Sequence, residues 1–255
     1  MNEQMNYKEE ILISDKKLRN KTIISFIVFL LLLVAAVFAW KKLLQQPKVA
    51  AAPKPLRTVL NLNENFFSNF LSNKHLAKRY PLSAAAKHVR VNGNVGIGAD
   101  FDPYAWKLKV IRNPGDTLFL SLQDIRALPK TDIIFDFKCI EGWSQVTHWA
   151  GVKFSDFAAK YDLNAQTQMK YVGLATPDKK YYVGIDILSI MHPQTILCYE
   201  MNGKPLPINQ GYPLRLIIPV KYGIKHLKRI GTIFFSNERP PDYWFEQGYD
   251  YYSGL

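Results

Sequence analysis

The amino-acid sequence predicts a strand-rich α+β fold with mixed sheets, preceded by one N-terminal transmembrane helix. Three observations lead to this fold class: an uncharged apolar run near the N-terminus, many short alternating runs after residue 107, and few helical patterns between them. The chain has 255 residues, of which 48% are hydrophobic and 21% are charged, so it is long enough to bury a sizeable core. We therefore expect one main domain after the apolar run.

The apolar run extends from Thr22 to Trp40, and its 19 residues carry no formal charge. A helix rises about 1.5 Å per residue, so the run would be about 28 Å long and would match the hydrocarbon thickness of a bilayer. Trp40 and the lysines after it suit the membrane interface. The run predicts a single-pass helix over residues 22–40, after an N-terminal tail of residues 1–21. The alternatives are a buried core helix and a signal peptide cleaved near Ala50.

The segment after this run is predicted to be an extended stalk over residues 41–55, because three prolines interrupt it. The domain is then expected to cover residues 56–255. Basic residues flank the apolar run in similar numbers on both sides, so the positive-inside rule leaves the membrane orientation open.

The rest of the chain is dominated by short runs of β-like pattern, each bounded by Pro, Gly or Asp. One or two short helices are expected between Leu60 and Lys78, and another between Val152 and Tyr161. The predicted strands are 108–112, 116–122, 133–138, 171–175, 181–185, 214–220 and 232–235.

Charge and cysteine content exclude several classes of protein. Lys and Arg outnumber Asp and Glu by 33 to 21, but the basic residues follow no nucleic-acid motif, so we expect a solvated or lipid-facing surface and no nucleic-acid partner. Two cysteines without CxxC spacing fit neither a zinc site nor a disulfide scaffold. Cys198 lies in an apolar run and is interpreted as a core residue. The aromatic tail at 243–252 is expected to seal a core or a subunit interface.

Cys139 ends a predicted strand and precedes a glycine-containing loop. A thiolate is a suitable ligand for a redox metal, although a lone cysteine is more often a small core residue. The runs from Cys139 to Ser144 and from Trp149 to Val152 resemble the metal-binding segment of bacterial enzymes of the sulfite oxidase superfamily. This resemblance implies the sulfite-oxidase molybdopterin-binding fold, with Cys139 as the molybdenum ligand.

Two later runs, 211–216 and 219–225, resemble segments that hold the pterin in the same superfamily. The resemblance implies that Arg215 clamps the cofactor phosphate with charge-assisted bonds. It also implies that Gly223 and Ile224 bring backbone amides close to the cofactor, and that Lys225 adds a second cation.

Three further residues are implied as cofactor ligands by their positions relative to these motifs. Thr176 lies where the family places a hydroxyl contact, and Gln210 lies where relatives use Asn or His. An amide can still bond a pterin edge. Asn92 lies in a loop that resembles one touching the pterin in relatives without a haem domain. A plain Asn-Gly turn between two strands is the alternative for Asn92.

Glu141 is a candidate catalytic residue beside the metal ligand. If the strand continued past Cys139, both side chains would point to the same side. Relatives that oxidise sulfite carry basic residues after the cysteine, whereas the charge here is negative, which disfavours a sulfite dianion and suits a neutral oxo substrate. We expect Glu141 to donate a proton or a hydrogen bond near the metal; the alternative is a surface carboxylate.

The resemblance implies a molybdenum–molybdopterin oxidoreductase that exchanges an oxygen atom with a small-molecule or protein-bound oxo substrate, as in sulfoxide reduction. The sequence has no CxxCH haem site, iron–sulfur cysteine set or Rossmann fingerprint, so a membrane b-type cytochrome is the expected electron partner. The expected location is the bacterial inner membrane, with the domain in the periplasm. The alternatives are a sulfite dehydrogenase and a non-catalytic electron-transfer or interaction module that keeps the fold.

Overall fold

A computed structural model describes residues 14–69, 71, 74–91, 93–98 and 101–255. Its helices and strands, in chain order, are α1 Asp15–Leu44, β1 Lys48–Val49, β2 Ala52–Pro53, α2 Lys54–Ser68, β3 Leu108–Asn113, β4 Asp116–Leu120, α3 Leu122–Arg126, β5 Lys130–Lys138, β6 Ser144–Lys153, α4 Phe154–Lys160, β7 Tyr171–Ala175, β8 Tyr182–Asp186, α5 Ile187–Ile190, β9 Ile196–Met201, β10 Lys204–Pro205, β11 Arg215–Ile217, β12 Thr232–Ser236 and α6 Tyr243–Glu246. The described residues form two compact units, and α1 forms most of the first.

The N-terminal unit is a single long helix. α1 has 30 residues, none of them buried, and the mean hydropathy of its most apolar part is 3.0. The helix is thus long and apolar enough to cross a membrane, and its exposure does not fit the alternative of a buried core helix. It extends past the predicted span of 22–40 on both sides, because Lys and Arg are good helix formers. The predicted extended stalk over residues 41–55 is wrong for residues 41–44, which remain in α1, and for residues 54 and 55, which begin α2.

The second unit contains two five-stranded sheets. In the first, the order is β10-β9-β6-β5, with β11 also paired to β9, and every pairing is antiparallel. The β5–β6 hairpin is the longest pairing, and it aligns Lys138 with Ser144 at its end. On β5, Ile133, Phe135 and Phe137 are buried at alternate positions, as expected for a strand with one face on the core.

The second sheet has the order β4-β3-β12-β7-β8. β12 pairs in parallel with β3 and antiparallel with β7, so the sheet is mixed. One hydrophobic cluster joins the two sheets, since it contains Val152 and Leu216 from the first sheet and Leu174 and Ile233 from the second. A smaller cluster packs around Phe135 and Trp149 of the first sheet. The strand-rich α+β fold predicted from the sequence is therefore confirmed.

The individual elements follow the predicted pattern, although β6, β9, the two-residue strands β1, β2 and β10, and the short helices α3, α5 and α6 were not predicted. Strands occur in each of the predicted runs, and the predicted helix at 152–161 is α4, shortened because β6 extends to Lys153. The helix expected in 60–78 is α2, which begins earlier, at Lys54. Strands β6 and β9 were not predicted, because their buried residues do not alternate along the chain.

Candidate functional site

The loop that joins β5 to β6 carries Cys139 at its start. The strand ends at Lys138, and the loop is closed by hydrogen bonds from Cys139 N to Trp143 O at 2.9 Å and from Gly142 N to Cys139 O at 3.1 Å. The strand does not continue to Glu141, because the chain turns back into β6 at this point. The loop nevertheless directs both Cys139 and Glu141 into the same cavity.

The thiol of Cys139 is almost completely buried, with 3% of the residue exposed. Burial raises the pKa of this thiol, and the hydrogen bond from the Glu141 backbone amide only partly opposes the effect. A metal binds the thiolate form, so the thiol must release its proton when a metal is bound.

A cavity opens in front of the thiol, and its wall combines thiol, cationic, carboxylate and aromatic side chains. The residues around it are Gly93, Val95, Cys139, Ile140, Glu141, Tyr181, Arg215, Gly223, Ile224, His226, Lys228, Trp244 and Tyr249.

Arg215 supplies a buried cation to this cavity. It begins β11, and its guanidinium lies 4.5 Å from the centre of the Trp149 ring. Its Nη1 donates to the backbone and side-chain oxygens of Gln210 at 3.1 and 2.8 Å. Its buried Nε has no hydrogen-bond partner among the described residues. Burial lowers the pKa of Arg215 to about 10, so the guanidinium stays charged at neutral pH and keeps a donor available for a ligand.

Gly223 and Ile224 line the cavity on a short 3-10 turn. A Cβ atom on Gly223 would lie 2.8 Å from the ring of Phe137, so glycine lets this turn pack closely against β5. The carbonyl of Ile224 accepts a hydrogen bond of 2.6 Å from the Tyr181 hydroxyl. The turn is therefore fixed on both sides.

Glu141 lies on the wall beside Cys139. Its carboxylate accepts a hydrogen bond of 3.0 Å from the indole Nε1 of Trp143, and the residue is exposed. The side chain is thus held within the loop and remains accessible to a molecule that enters the cavity.

Three other predicted residues lie around the cavity without lining it. The Gln210 amide bonds Arg215 and donates to the carbonyl of Arg90 at 3.2 Å. The Thr176 hydroxyl donates to Asp178 at 2.6 Å. The Lys225 ammonium turns away and donates to Asp242 and to Gly184.

Asn92 lies outside the described residues, although its neighbour Gly93 lines the cavity. Gly93 has a φ of 65°, a conformation that favours glycine. The described residues on either side of position 92 are not in strands, so the alternative of a turn between two strands is not supported.

Five aromatic or basic side chains of this wall were not predicted from the sequence: Tyr181, His226, Lys228, Trp244 and Tyr249. Lys228 donates to the carbonyl of Gly93 at 3.0 Å, and burial, assisted by Arg215, lowers its pKa to about 7. Burial, again assisted by Arg215, lowers the pKa of His226 to about 3, so this ring is neutral. The sequence could have indicated that His226 and Lys228 belong to the site, because the run from Gly223 to Arg229 has three basic residues besides the histidine.

Comparisons with known proteins identify the family. A family profile described as the oxidoreductase molybdopterin binding domain matches residues 83–244. A provisionally named protein-methionine-sulfoxide reductase subunit, YedZ1 of Azospira oryzae, is 34% identical over 181 residues, which are 70% of this chain and 68% of the relative. The chain therefore belongs to the molybdopterin-binding oxidoreductases, and the predicted resemblance is confirmed.

Two more distant relatives are named as catalytic subunits of a sulfoxide reductase. The catalytic subunit MsrP of protein-methionine-sulfoxide reductase from Campylobacter jejuni is 32% identical over 165 residues, 59% of this chain and 55% of the relative. MsrP from Xanthomonas campestris is 32% identical over 157 residues, 55% of this chain and 48% of the relative. The chain thus spans about half the length of these catalytic subunits. The solved sulfane dehydrogenase SoxCD of Paracoccus pantotrophus has a TM-score of 0.48 and 15% identity, covering 66% of this chain and 46% of that one.

The protein is an oxidoreductase, and its cofactor is molybdenum bound to molybdopterin. The cavity fits this group: it offers one thiol suited to a soft metal, and a buried guanidinium whose Nε is available to an anionic oxygen. The metal–pterin group supplies the redox chemistry, while the protein binds and orients it.

Proposed function

We propose that this protein is the membrane-anchored catalytic component of a sulfoxide-reducing system, with methionine sulfoxide, free or in a protein, as its substrate. The observation that carries the proposal is the thiol of Cys139 and the open donor of Arg215 on one cavity wall. The overall reaction takes a sulfoxide, two electrons and two protons to a thioether and one water molecule. Relatives that carry sulfoxide reductase names support this substrate class.

The proposed cofactor contacts follow the geometry. Cys139 is the metal ligand, and Arg215 holds the phosphate with Lys228 as the second cation. Gly223 and Ile224 present the backbone of their turn to the pterin. Because a buried guanidinium needs fixed acceptors to keep its orientation, Gln210 is assigned to positioning Arg215.

The other predicted ligands receive supporting roles. Thr176 packs against Gly96, since a Cβ on Gly96 would lie 2.5 Å from the methyl group of Thr176. Lys225 stabilises the turn that contains Gly223 through its ion pair with Asp242. Asn92, beside Gly93, remains a proposed pterin contact.

The substrate side of the cavity is formed by Glu141 and by the aromatic rings of Trp244 and Tyr249. Aromatic rings make favourable contacts with a thioether sulfur. The carboxylate of Glu141 repels a sulfite dianion and tolerates a neutral sulfoxide. After taking up a proton from solvent, the resulting carboxylic acid can deliver that proton to the sulfoxide oxygen. These features favour sulfoxide reduction over sulfite oxidation.

Helix α1 is proposed to anchor the domain to the bacterial inner membrane with the domain in the periplasm, and a membrane b-type cytochrome is proposed to supply electrons. The support is the length and apolar character of α1 and the lack of any motif for a second redox centre in the sequence. Intact mass measurement of the membrane-bound chain separates an anchor, which keeps residues 22–40, from a cleaved signal peptide.

The first test compares two substrates and two cysteines. Detergent-solubilised protein is assayed for reduction of methionine sulfoxide with a dye donor, and for oxidation of sulfite with a dye acceptor. We expect methionine sulfoxide to be turned over and Cys139→Ala to abolish the reaction, because the metal loses its protein ligand. Cys198→Ala is the matched control: this thiol is also buried, but it lies on β9 against the Glu200 carbonyl, so activity should persist.

Two results would contradict the proposal. Full activity in Cys139→Ala would remove this thiol from the site, and turnover of sulfite alone would identify a sulfite dehydrogenase. Protein that contains molybdenum and pterin but converts neither substrate would support the non-catalytic alternative.

The role of Glu141 is tested by Glu141→Gln, which keeps the shape and removes the acid. If Glu141 delivers a proton, kcat for methionine sulfoxide should fall by about 100-fold or more, while molybdenum content stays unchanged. Glu238→Gln, an exposed carboxylate outside the cavity wall, serves as the control. An unchanged kcat in Glu141→Gln would leave the residue as a surface carboxylate.

A further inference from the structure

Helix α2 has its polar side on the domain and its apolar side in solvent. A helix on the surface of a soluble domain normally buries its apolar face. In α2 the two buried residues are Arg57 and Glu64, and both are charged. This reversed arrangement calls for an apolar environment outside the domain.

The polar side of α2 is fixed by specific bonds. Arg57 donates to the carbonyl oxygens of Tyr249 at 2.7 Å and of Phe245 at 3.2 Å, and its guanidinium lies 4.1 Å from the Phe245 ring. Glu64 pairs with Arg239, which also bonds Asn61 at 3.0 Å. Because these contacts are directional and partly buried, the rotation of α2 about its own axis is set by the domain.

The opposite side of α2 is a stripe of exposed apolar residues. Leu56, Val59, Leu62, Phe66 and Phe67 are between 38% and 60% exposed. Leu56, Val59, Leu62 and Phe66 follow one another at spacings of three or four residues, and Phe67 lies next to Phe66, so all five lie on one broad face of the helix. An exposed contiguous apolar patch of this kind indicates an interaction surface.

Chain connectivity places this stripe close to a membrane. α1 ends at Leu44 and α2 begins at Lys54, so residues 45–53 join them. The ten residue steps from Leu44 to Lys54 span at most about 36 Å even when fully extended, so the first residue of α2 stays within that distance of the end of α1. The exposed Lys48 and Lys54 in and next to this joint suit an anionic lipid surface.

We propose that the apolar stripe of α2, comprising Leu56, Val59, Leu62, Phe66 and Phe67, lies in the surface of the lipid bilayer and docks the catalytic domain on the membrane. The inference rests on the proposed anchoring by α1 and adds a second, interfacial contact. Amphipathic helices with a basic flank bind bilayers in this way. Arg57 joins α2 to the segment that contains Trp244 and Tyr249, so docking holds one wall of the cavity beside the membrane surface.

This orientation has a consequence for partners. A cavity held beside the bilayer is within reach of a membrane-embedded electron donor, because docking restricts the orientations that the domain can adopt. Docking therefore raises the local concentration of the cavity at the membrane surface without any new contact at the cofactor.

The experiment places single nitroxide labels in the full chain, reconstituted in nanodiscs of phosphatidylethanolamine and phosphatidylglycerol at one protein per disc. Labels at Leu62→Cys and Phe67→Cys test the stripe. Asn65→Cys, exposed on another side of α2, and Phe119→Cys, an exposed phenylalanine on β4, are the matched controls. Collisions with oxygen, which is enriched in the bilayer, are compared with collisions with a water-soluble nickel chelate.

We expect the ratio of oxygen to nickel collisions at Leu62 and Phe67 to exceed that at Asn65 and Phe119 at least threefold. A label at Leu31→Cys in α1 tests the anchoring separately. If the label at 31 is in lipid while those at 62 and 67 match Phe119, anchoring stands and docking is overturned. An aqueous label at 31 overturns both.

A second measurement addresses two cases: substitutions that impair folding, and binding of the apolar stripe to a protein and not to lipid. Leu62→Gln/Phe67→Gln should keep its molybdenum content and dye-linked activity, yet move a label at Leu56→Cys from lipid to water. Protection of positions 62 and 67 that appears only with two proteins per disc would assign the stripe to a second copy and overturn the proposal. Protection that requires an added membrane protein would overturn it in the same way.

Discussion

Two buried cations near the cavity differ in how their charge is balanced. The Lys225 ammonium is 2.5 Å from the Asp242 carboxylate and also bonds the Gly184 carbonyl at 3.0 Å. Arg215 bonds only the neutral oxygens of Gln210, and no carboxylate of the described residues lies within ion-pair distance of its guanidinium.

This difference in charge balance indicates that Lys225 stabilises the fold, whereas Arg215 is available to bind an anion. A buried ion pair is already neutral and needs no ligand, whereas an uncompensated buried charge is costly until an anion arrives. Of these two cations, only Arg215 lines the cavity in front of Cys139. We therefore propose that Arg215 binds the anionic part of the cofactor and that Lys225 stabilises the fold next to the cavity.

The largest expected effect is on the structural side. Asp242→Ala leaves Lys225 buried without its carboxylate and also removes the cap on α6, where Asp242 accepts from Phe245 N at 3.0 Å. We expect the free energy of unfolding to fall by about 3–5 kcal/mol. Denaturant titration of apoprotein, produced without molybdenum, measures this loss.

The double variant Lys225→Met/Asp242→Leu is the control, because it removes both charges and should recover most of the lost stability. A loss below about 1 kcal/mol in Asp242→Ala would show that the pair does not hold the fold. If Lys225→Met instead lowers pterin content at unchanged stability, Lys225 holds the cofactor directly.

A smaller effect on stability, and a large one on cofactor content, is expected at Arg215. Arg215→Met removes an uncompensated charge together with two hydrogen bonds, so the unfolding free energy of apoprotein should change by about 1 kcal/mol or less. Molybdenum and pterin per chain should fall at least tenfold. Arg229→Met is the matched control, because this buried arginine bonds three carbonyl oxygens, including Gly98 O at 3.1 Å. It should retain the cofactor whenever it folds; normal loading of Arg215→Met would break the comparison.

A third effect is a pH dependence of stability. The pKa of Lys228 is about 7 in the folded apoprotein, lowered by burial and by Arg215, against about 10.4 when unfolded. Between these values the unfolded chain binds more protons, so apoprotein stability should rise with pH from about 7 to about 10. Lys228→Met should reduce this slope, and bound cofactor should also reduce it, because an anion keeps the ammonium charged. An equal slope in Lys228→Met would assign the dependence to other groups.

The chemistry of the site was predictable where the necessary residues are close in sequence. The run around Cys139 and the run from Gly211 to Lys225 carried the resemblance, and Cys139, Glu141, Arg215, Gly223 and Ile224 do line one cavity. Lys225 was predicted with them as a cofactor cation, but its ammonium points toward Asp242, seventeen residues away in sequence. No local pattern shows which of several lysines in one run faces the cavity.

The positions of the aromatic residues in the cavity wall could not be predicted from their spacing in the sequence either. Trp244 and Tyr249 lie in a tail that was expected to seal a core or an interface, yet both line the cavity. Their position depends on bonds from Arg57, 192 and 188 residues away from the carbonyls of Tyr249 and Phe245. Such contacts are set by the packing of distant segments, and spacing along the chain carries no trace of them.

The sequence alone determined the class of protein, the apolar helix and the thiol, because composition, hydrophobic periodicity and a short motif are properties of neighbouring residues. The tertiary structure decided which cations are balanced, which face of α2 is exposed and which rings form the cavity wall. Each of these depends on whether a partner from elsewhere in the chain arrives within a few ångströms, and that distance is fixed only when the two sheets and α2 pack together.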